Sequence, residues 1–214
     1  MDIAILLYDQ FTATDCVGPY DVLQLMPDTT VTFIGAEARP YRTDMGQLAI
    51  VADKAMAEMP NPDMVLIPGG IGTRPVMQDE ETLAWIRTAN ESAQYMTSVC
   101  TGSLLLGAAG LLDGMTATTH WGAVDTLEGT GASYVAERFV DHGRIITAAG
   151  VSAGIDMALH LAARIHSDDV AKAIQLAIEY DPQPPFDTGT PEKAGPELAA
   201  FVNALFSSQV SSPS

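Results

Sequence analysis

Tyr95-Met96-Thr97-Ser98-Val99-Cys100-Thr101-Gly102-Ser103, running on into Leu104-Leu105-Leu106-Gly107-Ala108-Ala109-Gly110-Leu111-Leu112, decides the fold class. Tyr95 to Val99 reads as a short buried strand. The segment from Gly102 to Leu112 reads as a helix apolar nearly all round, hence buried. A lone cysteine on the sharp turn between them projects from the carboxyl end of the sheet, where ligands bind in open α/β folds. It also faces the positive end of a helix, which favours a thiolate and is expected to lower the thiol pKa. This is the logic of a nucleophile elbow with sulfur in place of oxygen, and Gly102 keeps the turn free of a clashing Cβ. A second reading stands beside it: Cys100 as a structural residue packed like a small hydrophobe.

Outward from that turn, strands alternate with helices. Ile3 to Leu7 is a continuous apolar run, the mark of a central parallel strand covered on both faces. Val22, Leu23 and Leu25 supply the stripe of a first helix, which Pro19 in its first turn would start near Asp15 or Gly18. Further strands are predicted at Val31 to Gly35, Met64 to Ile67, Ser133 to Val140 and Arg144 to Ala148, the last two joined through Asp141-His142-Gly143. Ala38 to Tyr41 and Leu48 to Val51 form a hairpin around Met45-Gly46-Gln47. Helices are expected over Glu80 to Ser92, Val151 to His166, and from a cap at Asp168-Asp169 to about Tyr180. The whole implies one α/β domain with a mainly parallel sheet and helices on both sides, residues 1–180. The Pro-rich segment 181–214 is expected to wrap the domain surface as an extension and to fray at Ser207 to Ser214.

Apolar residues make up 47% of the 214 and charged residues 17%, which suits a well-buried globular protein. With 27 acidic against 10 basic residues the net charge is −17, which argues against nucleic acid or an anionic membrane as partner. No apolar run reaches membrane-spanning length, and the amino terminus reads as a strand, not a signal peptide. Two cysteines, Cys16 and Cys100, indicate no disulfide framework and fit a reducing cytoplasm.

If the strands are parallel neighbours, the loops bearing Asp15, Gly69-Gly70 and Cys100 meet at one sheet edge. A thiolate nucleophile needs a proton manager and donors for developing negative charge. Asp15 fits the first role, the amides of Gly70 and Thr101 the second. Plainer readings remain for each: Asp15 as a helix cap, Gly69-Gly70 as a turn. Gly69-Gly70-Ile71-Gly72 lacks the spacing of a phosphate cradle. His120, as a basic imidazole near Cys100, would promote thiolate formation, or is an ordinary turn histidine. His142, His160 and His166 read as structural or exposed, Cys16 as helix packing, and no Cys/His spacing suggests a metal site.

Leu66-Ile67-Pro68-Gly69-Gly70, Val99-Cys100-Thr101-Gly102, Thr118-Thr119-His120-Trp121 and Gly150-Val151-Ser152-Ala153-Gly154-Ile155-Asp156, with Asp15 ahead of Gly18-Pro19-Tyr20, together resemble the DJ-1/PfpI superfamily. Those proteins are relatives of the class I glutamine amidotransferases with a flavodoxin-like three-layer α/β fold. Members of the protease, deglycase and glyoxalase kind carry Glu where this chain has Asp15. Asp with Cys-Thr-Gly and Thr-Thr-His-Trp resembles the isonitrile hydratases, and also the amidase-like half of certain AraC-type regulators. The helix-turn-helix region of those regulators is expected to be missing here. The hydratase resemblance implies Cys100 as nucleophile, Asp15 as acid/base, Thr101 as a required neighbour, a small isonitrile as substrate, no cofactor, and a homodimer. Loop placement puts the substituent pocket near Ile71, Trp121 and the Pro-rich tail, with Gly70 and His120 as further binding groups. A glyoxalase or amidase-like cysteine hydrolase and a non-enzymatic redox or metabolite sensor are the competing readings.

Overall fold

Ile3, Ala4, Ile5 and Leu6 are all but inaccessible to solvent, and so are Met64 to Ile67. Continuous apolar runs of this kind need cover on both faces, and both lie in the interior of one seven-stranded sheet. The computed structural model describes residues 1–210, with side chains through residue 205. In chain order the elements are β1 (Asp2–Leu6), α1 (Ala13–Leu23), β2 (Thr30–Gly35), β3 (Pro40–Arg42), β4 (Ala49–Val51), β5 (Lys54–Ala55), β6 (Met64–Ile67), α2 (Thr73–Val76) and α3 (Glu80–Ser92). There follow β7 (Tyr95–Val99), α4 (Ser103–Ala108), β8 (Thr116–Ala117), α5 (Val124–Glu128), β9 (Ser133–Tyr134), β10 (Phe139–Asp141), β11 (Ile145–Ala148), α6 (Ala153–Ile165) and α7 (Asp168–Ala177). A second compact unit begins at Glu179 and contains α8 (Pro191–Ala194) and α9 (Pro196–Val210). Of the segment expected to fray, Ser207 to Val210 continue α9, and Ser211 to Ser214 lie outside the described residues.

The sheet order is β10-β11-β7-β6-β1-β2-β5, with every neighbour parallel except β10 against β11. From β1 the chain steps to β2 on one side. It then crosses to β6 on the other side of β1 and continues outward to β7. Right-handed crossovers put the connecting helices of these two directions on opposite faces, which gives the three layers of a flavodoxin-like sandwich. Contacts agree: α1 packs on α6 and α6 on α7, while α4 meets α2, α3 and α5. Reversal of direction between β1 and β6 leaves a crevice at their carboxyl ends, and the loops after β1, β6 and β7 open onto it.

Several boundaries differ from the sequence expectation. Helix α1 begins at Ala13, so Asp15 sits inside its first turn instead of capping it. Helix α4 stops at Ala108 and not at Leu112, where the chain turns through Gly110 at φ 84°. Ser133 to Val140 is two short strands, because β9 leaves the main sheet to pair with β8. Helix α6 starts at Ala153, two residues late, since Val151 is held at φ 30°. The cap of α7 is Ser167, whose hydroxyl accepts from the Val170 amide at 3.3 Å, and Asp168 and Asp169 occupy the first turn. The expected hairpin is present as β3 and β4, antiparallel with Tyr41 opposite Ile50.

Candidate active site

Strand β7 ends at Val99, and Cys100 turns the chain with φ 58°, a left-handed conformation costly for a side chain with Cβ. The turn is over-determined by its surroundings. The Cys100 amide donates to the Ala149 carbonyl at 2.9 Å, and its carbonyl accepts from the Ser103 hydroxyl at 3.2 Å and the Thr119 hydroxyl at 3.1 Å. A short 3-10 turn, Cys100 to Gly102, then leads into α4. Gly102 itself has an ordinary helical φ. Its lack of a Cβ matters because one would stand 2.1 Å from the Ile67 carbonyl oxygen, so the elbow can lie flush against the end of β6.

Asp15 is 0% exposed and Cys100 5%. The Gly69 amide donates to Asp15 Oδ2 at 3.0 Å, and Asp15 and Cys100 are close enough for each to shift the proton affinity of the other. Asp15 Oδ1 is buried with no hydrogen-bond partner among the described residues. Burial pushes the Asp15 pKa up to about 7, against the opposing pull of the Cys100 and Gly69 hydrogen bonds, and the charge of Asp44 adds to the rise. The Cys100 thiol is also pushed up, first by burial and then by the Asp15 charge, while the neighbouring Thr101 and Val151 amides oppose that rise. The expected lowering by a helix dipole is therefore overturned: the first full helix after the cysteine is six residues long, and desolvation wins. Near 7 the thiol keeps its proton while the carboxyl is midway through its titration, and the two titrations belong to the pair.

The loop Pro68 to Gly72 is laced to the loop after β1. The Thr12 amide donates to the Gly69 carbonyl at 2.8 Å, and the Gly72 amide to the Gln10 carbonyl at 3.1 Å. The Thr101 hydroxyl both accepts from the Gly70 amide, at 2.9 Å, and donates to the Gly70 carbonyl, at 3.1 Å. This corrects one expectation. The Gly70 amide is taken by Thr101 and is not an open oxyanion donor; the amides that favour the thiolate are those of Thr101 and Val151.

His120 Nδ1 accepts from the Gly122 amide at 3.1 Å, which leaves the ring proton on Nε2, and burial lowers the pKa of the imidazole. A neutral ring with its Nδ1 lone pair occupied does not supply the basic imidazole expected from sequence. Its ring lies against Gly150 and stacks on Trp121, with centroids 5.3 Å apart. Ile71 follows Gly70 on the same loop and is half-buried, as is Trp121. Cys16 lies in the hydrophobic core with its thiol pKa raised by burial, and both cysteines are free. His160 pairs with Asp141 at 2.7 Å, and His142 lies 2.9 Å from the Thr116 carbonyl, both away from the crevice loops. Among the described residues no group of three His, Cys, Asp or Glu side chains is placed to hold a metal ion, and no helix is long and apolar enough to cross a membrane.

Tyr8 and Val151 belong to this constellation and were not legible. The Tyr8 hydroxyl, at the end of the β1 run, donates to the Pro68 carbonyl. Burial raises its pKa first, then the charges of Asp15 and the two cysteines. A polar tip closing an apolar strand was the one available signal. Val151 had none, since it is its backbone amide that acts.

An elbow cysteine beside a buried carboxyl, on the strand order of a flavodoxin-like sheet, agrees with a family model for the DJ-1/PfpI family that matches residues 1–164. The chain belongs to the DJ-1/PfpI family. Among curated relatives it is 44% identical to the isonitrile hydratase of Pseudomonas putida, over 91% of this chain and 85% of that protein. It is 30% identical to the HTH-type transcriptional regulator CdhR of Pseudomonas aeruginosa, over 69% of this chain but only 43% of the regulator. Among solved structures, a ThiJ/PfpI family protein from Pseudomonas syringae superposes with TM-score 0.92 at 36% identity, covering 98% of this chain and 87% of that one. Drosophila melanogaster DJ-1beta, at 19% identity and TM-score 0.76 over 85% of this chain and 98% of that one, shares the fold.

Proposed function

We propose that this DJ-1/PfpI protein is an isonitrile hydratase, adding water to an isonitrile to give an N-substituted formamide. The observation that carries this reading is the fully buried Asp15 carboxyl set beside the Cys100 thiol at an elbow. The kinship with a hydratase of that name supports it.

The terminal carbon of an isonitrile takes up a nucleophile and a proton together. In this scheme Cys100 Sγ forms the new C–S bond as the proton shared with Asp15 passes to the same carbon, giving the thioimidate R–N=CH–S. Thiol with carboxylate and thiolate with carboxylic acid are two tautomers of the singly protonated pair, which the raised thiol pKa maintains above 7, so no separate protonation of Asp15 is needed. Asp15, now a carboxylate, takes a proton from water as its oxygen adds to the thioimidate carbon, and returns that proton to nitrogen. Collapse of the tetrahedral adduct breaks the C–S bond, releases R–NH–CHO and restores the shared proton. The Thr101 and Val151 amides steady negative charge on sulfur as it attacks and leaves. Thr101 also fixes the Gly70 loop, and Gly70, Ile71, His120 and Trp121 form the wall for the substituent. Protein side chains and water complete the cycle.

The same reading has a small isonitrile as partner, neither nucleic acid nor membrane, a homodimer as the assembled form, and the reducing cytoplasm as location, where free Cys16 and Cys100 persist. The test is turnover of cyclohexyl isocyanide to N-formylcyclohexylamine by the purified protein beside a Cys100→Ala control. Product that vanishes in the control is expected. No product from folded protein, with lactate formed from methylglyoxal, would replace the hydratase by a glyoxalase.

A further inference from the structure

A charged neighbour of Asp15 has no part in the scheme above. The turn between β3 and β4 carries Asp44 back against the mouth of α1. There the Thr12 hydroxyl donates to Asp44 Oδ2 at 2.9 Å, the Met45 amide to Asp44 Oδ1 at 2.9 Å, and the Asp44 amide to the Phe11 carbonyl at 2.9 Å. Thr12 precedes α1 but does not use its side chain to cap it. Its backbone is bound into the site, the amide to Gly69 and the carbonyl to the Asp15 amide at 3.2 Å. Asp44, Thr12, Gly69 and Asp15 are thus one hydrogen-bonded knot, with a part-buried carboxylate fixed outside the catalytic one.

We propose that Asp44 is a positioning residue for the reaction, a fixed negative charge held by Thr12 that sets how tightly Asp15 holds the proton it exchanges with Cys100. This rests on the reading of Asp15 as acid/base. Coulomb repulsion between two carboxylates near a desolvated site raises the cost of ionising the inner one. The other titratable groups facing Asp15 are Tyr8, Cys16 and Cys100, all with raised pKa and hence neutral partners. Among the described residues neither hairpin cation pairs with Asp44: Arg39 pairs with Asp9 at 2.8 Å, and the Arg42 guanidinium donates to the Gly46 carbonyl at 2.8 Å. The first turn of α1 and the Gly69 amide pull in the opposite direction, so the outer charge opposes both.

Asp44→Asn keeps an acceptor for Thr12 and removes the charge; Asp44→Glu keeps the charge; Thr12→Val releases Asp44 without altering the charge count. The protonation midpoint of Asp15 is read without substrate, from its carboxyl infrared band with Asp15→Asn as the blank. The limb of the kcat profile for cyclohexyl isocyanide that titrates the pair is measured beside it. Asp44→Asn should move the midpoint below the value near 7 and shift that limb equally, with KM little changed. Asp44→Glu should restore both, and Thr12→Val should fall between. An unmoved or raised midpoint in folded Asp44→Asn overturns the proposal, and Thr12→Val decides if that variant does not fold. Absence of isonitrile turnover in the unmodified protein would instead overturn the hydratase reading, while the infrared midpoint still decides the role of Asp44.

Discussion

The Gly69 amide donates to Asp15 Oδ2 at 3.0 Å, across 54 residues of sequence. That contact needs the backbone of the β6 loop to lie directly on the carboxylate. A Cβ on Gly69 would stand 2.5 Å from the Thr101 nitrogen, 2.7 Å from its hydroxyl and 2.8 Å from Asp15 Oδ2. Gly69→Ala should therefore cost about 1–3 kcal/mol of stability from overpacking and most of the turnover. Urea unfolding and a single-substrate assay check this together; an active, equally stable variant would show that the loop yields freely.

Asp15 places a pH-dependent burden on the fold. An ordinary Asp carboxyl titrates at 3.8, and burial raises Asp15 to about 7. Between those values the folded state holds the extra proton, so stability is greatest at the acid end and is lost as pH rises through 7. At about 1.4 kcal/mol per pH unit the full loss is roughly 4 kcal/mol. Asp15→Asn removes it. The variant should be more stable than the unmodified protein at pH 8, with the difference closing near pH 4, and should have little turnover. Parallel pH dependence of the urea midpoints would mean that Asp15 ionises at no cost.

Thr101 is bound to the Gly70 main chain on both sides. Thr101→Val strands the buried Gly70 amide, at a cost of about 1–3 kcal/mol, and loosens the loop that holds Asp15. Thr101→Ser keeps the hydroxyl and should recover most of both stability and kcat. Equal activity in Val and Ser variants would remove the hydroxyl from the account.

His120 is neutral and has its Nδ1 engaged by Gly122. His120→Asn retains an acceptor for that amide and should keep turnover within about tenfold, with the pH profile unshifted, because the proposed cycle passes no proton through the ring. Loss of one limb of the profile would identify His120 as an acid or base after all.

Much of the frame was legible because period and chemistry agreed along the chain. Apolar runs at Ile3 to Leu6 and Met64 to Ile67 could be only buried strands, and the Tyr95 to Ser103 stretch marked the elbow. Boundaries were less so. Helix α4 ends early because Gly110 takes a left-handed φ, and β9 leaves the main sheet because β8 offers a partner that no local pattern announces. At the site, Cys100, Asp15 and Gly69-Gly70 announced themselves by residue type. The cysteine's environment did not: a thiol at a turn before a helix reads as acidic, and only its burial reverses that direction.

By itself the sequence determined the α/β frame, the three loops that meet, and the kind of chemistry their residues can perform, since periodicity and side-chain type are local properties. Tertiary structure decided which amide holds which atom. It assigned the Gly70 amide to Thr101, brought Val151 and the Asp15 carboxyl to bear on Cys100, and carried Asp44 across a hairpin to the mouth of α1. Desolvation and hydrogen-bond partnership depend on what packs around a group from distant parts of the chain, and that information exists only once the chain is folded.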